Sequence, residues 1–270
     1  MKLLDQLDHS VHGALSGFGD FSVFTFGTLR WLTGLVRWKN LRLLFPQLYD
    51  IGVRSVPVIV VTGAFIGMVM AVETYPQFKA IGLQDNLGTV IILSVVKQIG
   101  PVLTAVMLAG RIGCALTAEL GTMNVTEQLD ALRVMGADPI RYLVVPRFMA
   151  CVLLTPVLTL YSDIAGIVGG WIVSVWVSGI PNGLFWQHAQ TGVDMWSVNE
   201  GLIKSIFFGA LIGLISCYKG FRCGPGASGV GRACTESFVN AFLTIIVVDF
   251  VFAKVAKDWY LALYGVRSII

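Results

Sequence analysis

Apolar positions along this chain run in blocks and do not alternate. The blocks lie at about 53–72 (VRSVPVIVVTGAFIGMVMAV), 87–118, 147–178, 201–219 and 238–264. About 20 consecutive apolar residues are needed to cross the hydrocarbon core of a bilayer as a helix. The pattern therefore predicts an all-α integral membrane protein with about five transmembrane helices. The second block is interrupted by Gly100-Pro101 and the third contains Pro156. Both exceed one span, so tilt, kinks or ends outside the lipid are expected. Residues 1–45 read differently. Phe18, Phe21, Phe24, Phe26, Trp31 and Trp38 are interleaved with Arg30, Arg37, Lys39 and Arg42. Basic residues beside aromatic ones predict an amphipathic segment in the membrane interface, with a sixth, shorter membrane element as an alternative within 15–38. The chain divides into this interfacial segment, 1–45, and a membrane-spanning domain, 46–270.

Composition narrows the class further. Of the 270 residues 56% are hydrophobic and 13% charged, about half the charge of an average soluble domain. This excludes an ordinary water-soluble enzyme, and a disordered chain, which needs low hydrophobicity and high charge. A dispersed net charge of +3 excludes a nucleic-acid binder. Five cysteines without a CxxC imply neither a disulfide framework nor a zinc site. His9 and His12 alone fall short of a metal shell, so no metal is expected. His188, Asp194 and Ser197 share one loop without a nucleophile motif, which gives no basis for hydrolase chemistry.

The basic residues set an orientation. Segments 1–54, 111–147 and 219–232 hold thirteen of the nineteen Lys and Arg, whereas the alternate side holds Lys79 and Arg267. The positive-inside rule then places the N-terminus in the cytoplasm and the C-terminus outside.

Between the second and third blocks lies GTMNVTEQLDALRVMGADP, 121–139. Asn124 and Glu127 have capping-box spacing, and Val125, Leu129, Leu132 and Gly136 fall on one helical face. Gly136 suits a C-terminal stop and Asp138-Pro139 prevents continuation. The expectation is a short amphipathic helix of about ten residues on the cytoplasmic side. It either packs on its own protein or docks a cytosolic partner.

Charges inside spans are costly and mark functional candidates. Lys97 and Asp249 each lie about 15 Å deep at 1.5 Å per residue. Lys204 is shallower, and either pairs with Asp249 or meets a lipid phosphate. Lys254 and Lys257 lie close enough to the outer end of the fifth block to snorkel. Lys97 and Asp249 could alternatively serve as an ion relay.

The run AGRIGCALTAELGTMNVTEQLDAL, 109–132, resembles the signature of the MlaE/YrbE family of ABC-transporter permeases. The resemblance continues through DP at 138–139, PRF at 146–148, LIKS at 202–205 and GASGVGRACT at 226–235. It extends from about 45 to 260. It implies a permease that works as a homodimer and moves lipids, phospholipids among them, with two cytosolic ABC ATPase subunits and an outer-side MCE-domain lipid-binding partner. It also implies an inner (cytoplasmic) membrane location. Within it, Asn124, Thr126, Glu127, Gln128, Leu129, Asp130 and Leu132 form the element that couples to the ATPase. No GxxxxGK[ST] run occurs, so ATP would be bound by the partner, and this chain needs no cofactor and is no enzyme. Gly224–Gly229 satisfies GxGxxG but follows a membrane span, where a strand is required. Many family members carry a basic–acidic pair before the Gly-Pro kink, and here the pair is Lys97-Gln98. The amide removes a charge from the region that lines the family's lipid cavity and leaves Gln98 a hydrogen-bonding group. Lys97, Gln98, Lys204 and Asp249 are thus the expected substrate-binding residues. An ion-coupled secondary transporter using Lys97 and Asp249 is the alternative function, and a plain membrane anchor for a lipid-binding protein a third.

Overall fold

The computed structural model describes residues 17, 19–32 and 44–264. Among them five helical runs are long and apolar enough to cross a membrane: α2 (Leu44–Ala80), α3 (Gln84–Val125), α5 (Ile140–Val177), α7 (Met195–Phe221) and α8 (Gly226–Tyr264). Three shorter helices accompany them: α1 (19–32), α4 (Gln128–Val134) and α6 (Asn182–Gly192). No strand occurs among the described residues. Each long helix extends beyond the apolar block that predicts it. Hydropathy detects the part that must sit in hydrocarbon, while backbone hydrogen bonding carries the helix on into the polar interface.

Three of the long runs are interrupted by π-helical turns, at Val95–Ile99 and Ala109–Gly113 in α3, at Tyr49–Val53 in α2, and at both ends of α5. Such turns are frequent at functional sites. The Val95–Ile99 turn has a local cause. Pro101 has no N–H to give to the carbonyl four residues back, so the Lys97 carbonyl is released from the helix ladder. Pro156, by contrast, sits within the uninterrupted α-helix Val145–Ile172.

α7 is the most enclosed span and α8 the most exposed, with 61% and 17% of their apolar windows buried. Ile51, Ile59, Ala105, Leu108, Leu158, Phe208, Ile212 and Ile245 bring α2, α3, α5, α7 and α8 into one core. A second core, with Leu87, Ile91, Val173 and Phe185, ties α6 to α3 and α5 at the end remote from α4. Small residues let α2 and α5 touch backbone to backbone. Gly63 lies against Ser162, and Gly67 against Gly166, where a side chain would collide with main chain. Without a hydrophobic drive between helices in lipid, such close packing is a principal source of association.

α1 covers 14 described residues, 19–32. Phe21 and Phe24 pack edge-on against Tyr218 at 5.3 and 5.6 Å, and Asp20 pairs with Arg222 at 2.7 Å. Arg141 lies over the Trp31 ring at 5.1 Å. α1 therefore seats on the basic end of the bundle. Residues 1–16 and 33–43, including His9, His12, Arg37 and Trp38, lie outside the described residues.

Candidate functional site

The basic end explains why the signature residues stand where they do. Glu119 pairs at 3.0 Å with Arg147, whose side chain is almost fully buried, joining α3 to α5. Arg111 donates to the Arg54 carbonyl, joining α3 to α2. Thr117 Oγ1 donates to Ser216 O at 3.0 Å, and Cys223 Sγ to Gly121 O at 3.2 Å, joining α3 to α7 and the turn after it. The run Gly224–Gly229, the end of that turn and the first residues of α8, lies beside a cavity of about 620 Å³ between α7 and α8. Lys219 and Arg232 both reach Glu236 there, at 2.8 and 3.0 Å.

The expected short helix is present but differently bounded. α3 runs on to Val125, so Asn124 belongs to its last turn and its amide faces Cys223 Sγ at 3.7 Å. Thr126 bonds back to Thr122 O at 2.8 Å. Glu127 is the N-cap of α4, has φ +58°, and makes no side-chain cap hydrogen bond. The capping box read from Asn124 and Glu127 does not form, because the preceding helix consumes Asn124. α4 accordingly spans seven residues. Its stop follows the sequence: Gly136 has φ +74°, and Ala137 N bonds to Leu132 O at 3.0 Å, as at glycine-terminated helices. Leu129 is buried, Leu132 half-buried, and Gln128 and Asp130 exposed. Asp130 pairs with Arg133 at 2.7 Å. Val134 and Met135 are 88% and 72% exposed, so α4 leaves an apolar tip uncovered.

The charges within the spans converge on one cluster. Lys204, fully buried, places Nζ 3.2 Å from Asp249 Oδ1 and 3.6 Å from Glu200 Oε1. The same ammonium donates to Gln98 Oε1 at 2.8 Å and meets Lys97 O at 3.5 Å. That carbonyl is the one Pro101 releases. Gln98 Nε2 donates to Asp249 Oδ2, so the amide bridges cation and acid with its two ends. Lys97 Nζ lies 3.3 Å from Glu200 Oε2. α7 comes this close to the π turn because residue 201 is glycine: a Cβ there would strike Val96 O and sit 3.2 Å from Pro101 Cγ. Two cations, two acids and one amide thus form a charge-balanced network linking α3, α7 and α8. Lys97 and Asp249 do not pair directly.

All four residues expected from sequence meet here, and Glu200 joins them. Glu200 was missed because the fourth apolar block starts at 201, which leaves it in a loop, whereas α7 begins at Met195. Its signal was available: an acid four residues before Lys204, the spacing at which helix side chains meet.

Beside this network the halves of α7 and α8 remote from α4 bound a cleft of about 540 Å³. Its lining includes Trp196, Glu200, Ile203, Phe207, Phe252 and Trp259. The walls are apolar except at Asn199 and Glu200.

Comparison with known proteins accords with this arrangement. The Permease MlaE family profile matches residues 44–255. The chain is 38% identical over 219 residues to the Haemophilus influenzae protein named "Intermembrane phospholipid transport system permease protein MlaE", covering 80% of this chain and 84% of that one. It is 38% identical over 237 residues to a Rickettsia felis protein named "Probable ABC transporter permease protein", covering 87% and 90%. It is also 38% identical over 226 residues to the Arabidopsis thaliana protein "TRIGALACTOSYLDIACYLGLYCEROL 1, chloroplastic", covering 84% and 64%. With its five apolar spans and signature residues in place, the chain belongs to the MlaE family of ABC-transporter permeases.

Proposed function

We propose that this chain is the membrane half of an ATP-driven lipid transporter that carries phospholipid between the inner membrane and an outer-side MCE-domain partner. It works as two copies with cytosolic ABC ATPase subunits, which bind the ATP. Its N-terminus and α4 face the cytoplasm, as the thirteen basic residues on that side favour. The observation that carries the reading is α4 itself. It hangs between two spans, rests on Leu129, and presents Val134 and Met135 to whatever lies below the membrane. A partner gripping that tip would move α3 and α5 together, since α4 joins them directly. The phospholipid class is supported by the name of the Haemophilus relative.

In this mechanism α3 transmits the movement. Its C-terminal end leads into α4 and its first half carries the Lys97–Gln98 turn, so displacement of α4 would reach the buried network along α3. Lys204, Gln98 and Asp249 hold α3, α7 and α8 in register as the bundle shifts, and Lys97 meets the lipid headgroup. The chain makes and breaks no covalent bond. Native mass spectrometry of the chain purified from its host in gentle detergent tests the proposal. Two copies with two ATPase subunits and retained phospholipid are expected. A stable assembly with no ATPase would overturn it.

A further inference from the structure

The cavity of about 620 Å³ at the basic end of the bundle lies apart from the buried network. Lys219 is fifteen residues along α7 from Lys204, about 22 Å at 1.5 Å per residue. Lys219, Arg222 and Arg232 line the cavity with one acid, Glu236. Lys219 and Arg232 both pair with Glu236, and Arg222 pairs with Asp20 of α1. Three cations therefore face two acids, which leaves one positive charge in excess. Arg232 reaches Glu236 through Nε at 3.0 Å, so its two terminal amino groups are not engaged by that pair. Arg222 reaches Asp20 through Nη2, and its guanidinium lies 5.0 Å from the centre of the Tyr218 ring.

The backbone adds donors. Ser228 and Gly229, in the first turn of α8, line the same cavity. The opening N–H groups of a helix have no partner within it, and the positive end of its dipole favours an anion. A Cβ on Gly229 would collide with the Gly224 carbonyl, so the chain between α7 and α8 folds tightly over that turn. Cys223, which also lines the cavity, accepts from the Asn124 amide and ties this wall to the end of α3. Both long walls are the ends of membrane spans, the level at which headgroups meet water. A basic pocket between spans at that level suits a phosphate group.

We propose that this cavity binds a resident phosphate oxyanion, held by Arg232, Arg222 and Lys219 and by Ser228 at the first turn of α8. Guanidinium groups suit phosphate oxygens because their donors form a planar fork. The single excess charge matches the single charge of a phosphodiester. Two sources offer that chemistry: the headgroup of a lipid in the adjoining leaflet, and free phosphate from the water. The occupant is not the transported lipid. It braces the junction of α1, α3, α7 and α8, which Asp20, Asn124, Arg222 and Glu236 already join.

The test is the unfolding midpoint of the whole complex in an uncharged detergent. One arm titrates potassium phosphate against potassium chloride at equal ionic strength. The other titrates dioleoyl phosphatidylglycerol against dioleoylglycerol. At least one phosphate-bearing probe is expected to raise the midpoint above its control. Arg232→Gln should raise the half-maximal concentration about tenfold, and Arg232→Lys less. Ser228→Glu places a fixed carboxylate in the seat, at an exposed position where the helix start favours it. It should abolish the response without lowering the starting midpoint, while Ser228→Gln keeps the response. A response to inorganic phosphate supports a free anion, and a response to phosphatidylglycerol alone supports a headgroup. No response to either probe overturns the proposal, as does a response unchanged in Arg232→Gln and Ser228→Glu. The readout involves neither ATP nor lipid transfer, so the site stands or falls apart from the transport reading.

Discussion

Lys204 Nζ lies 3.2 Å from Asp249 Oδ1, and the lysine side chain has no exposed surface at all. A cation in such a place is tolerated because its partners are already arranged around it. Removing Asp249 leaves two cations sharing Glu200, and breaking a buried pair costs about 3–5 kcal/mol. Asp249→Ala is therefore expected to lower the midpoint of thermal aggregation in detergent sharply. The double variant Lys204→Met/Asp249→Leu, which removes both charges and keeps the volume, should recover most of the loss. A double variant as unstable as Asp249→Ala would show that the pair is not what the network protects.

Lys97 differs because its side chain is 42% exposed. Its ion pair with Glu200 is open at the lysine end, and Glu200 lies 3.6 Å from Lys204 as well, so it keeps a cation when Lys97 is replaced. Lys97→Gln should leave the unfolding midpoint close to that of the parent protein while reducing lipid transfer. Equal damage to stability by Lys97→Gln and Asp249→Ala would contradict this division of roles.

At Gly201 the backbone of α7 meets the bulge of α3, and a Cβ would collide with Val96 O. Overpacking of this kind costs about 1–3 kcal/mol. Gly201→Ala should destabilise the protein measurably and Gly201→Leu more so. Gly183, which has open space around it, should accept Ala without comparable loss.

The α4 region gives two separable expectations. Glu127 holds φ +58°, a conformation that costs a side-chain-bearing residue about 1–2 kcal/mol. Glu127→Gly should therefore not destabilise the fold. Val134→Asp, at an 88% exposed position, should leave folding intact and lower the amount of ATPase that co-purifies. Unchanged co-purification with Val134→Asp and with Glu127→Lys would remove α4 as the docking element.

Much of this architecture is legible in the sequence because lipid imposes simple demands. A long apolar block must become a helix, and five blocks give five spans. Gly136 and Asp138-Pro139 mark the end of α4 for equally local reasons. Boundaries are less legible. The start of α7 at Met195 lies in a mixed stretch, MWSVNE, outside the apolar block, and Glu200 is hidden with it. The Asn124 cap fails for a related reason: nothing local tells a helix ending at Val125 from one starting there. The pairing of Gln98 with Lys204 and Asp249 joins residues more than a hundred positions apart. Sequence identifies these as groups needing partners, and only the fold says which.

The central claim is that ATP consumed by a partner at α4 moves lipid through this chain. The most direct measurement is transfer of fluorescent phospholipid in proteoliposomes holding the permease, its ATPase and its outer-side partner, with and without vanadate and with a proton ionophore. Transfer is expected to require ATP, to stop with vanadate, to be lost in Val134→Asp and to be indifferent to the ionophore. Transfer that persists without ATP and collapses with the ionophore would contradict it and return Lys97 and Asp249 to the role of an ion relay.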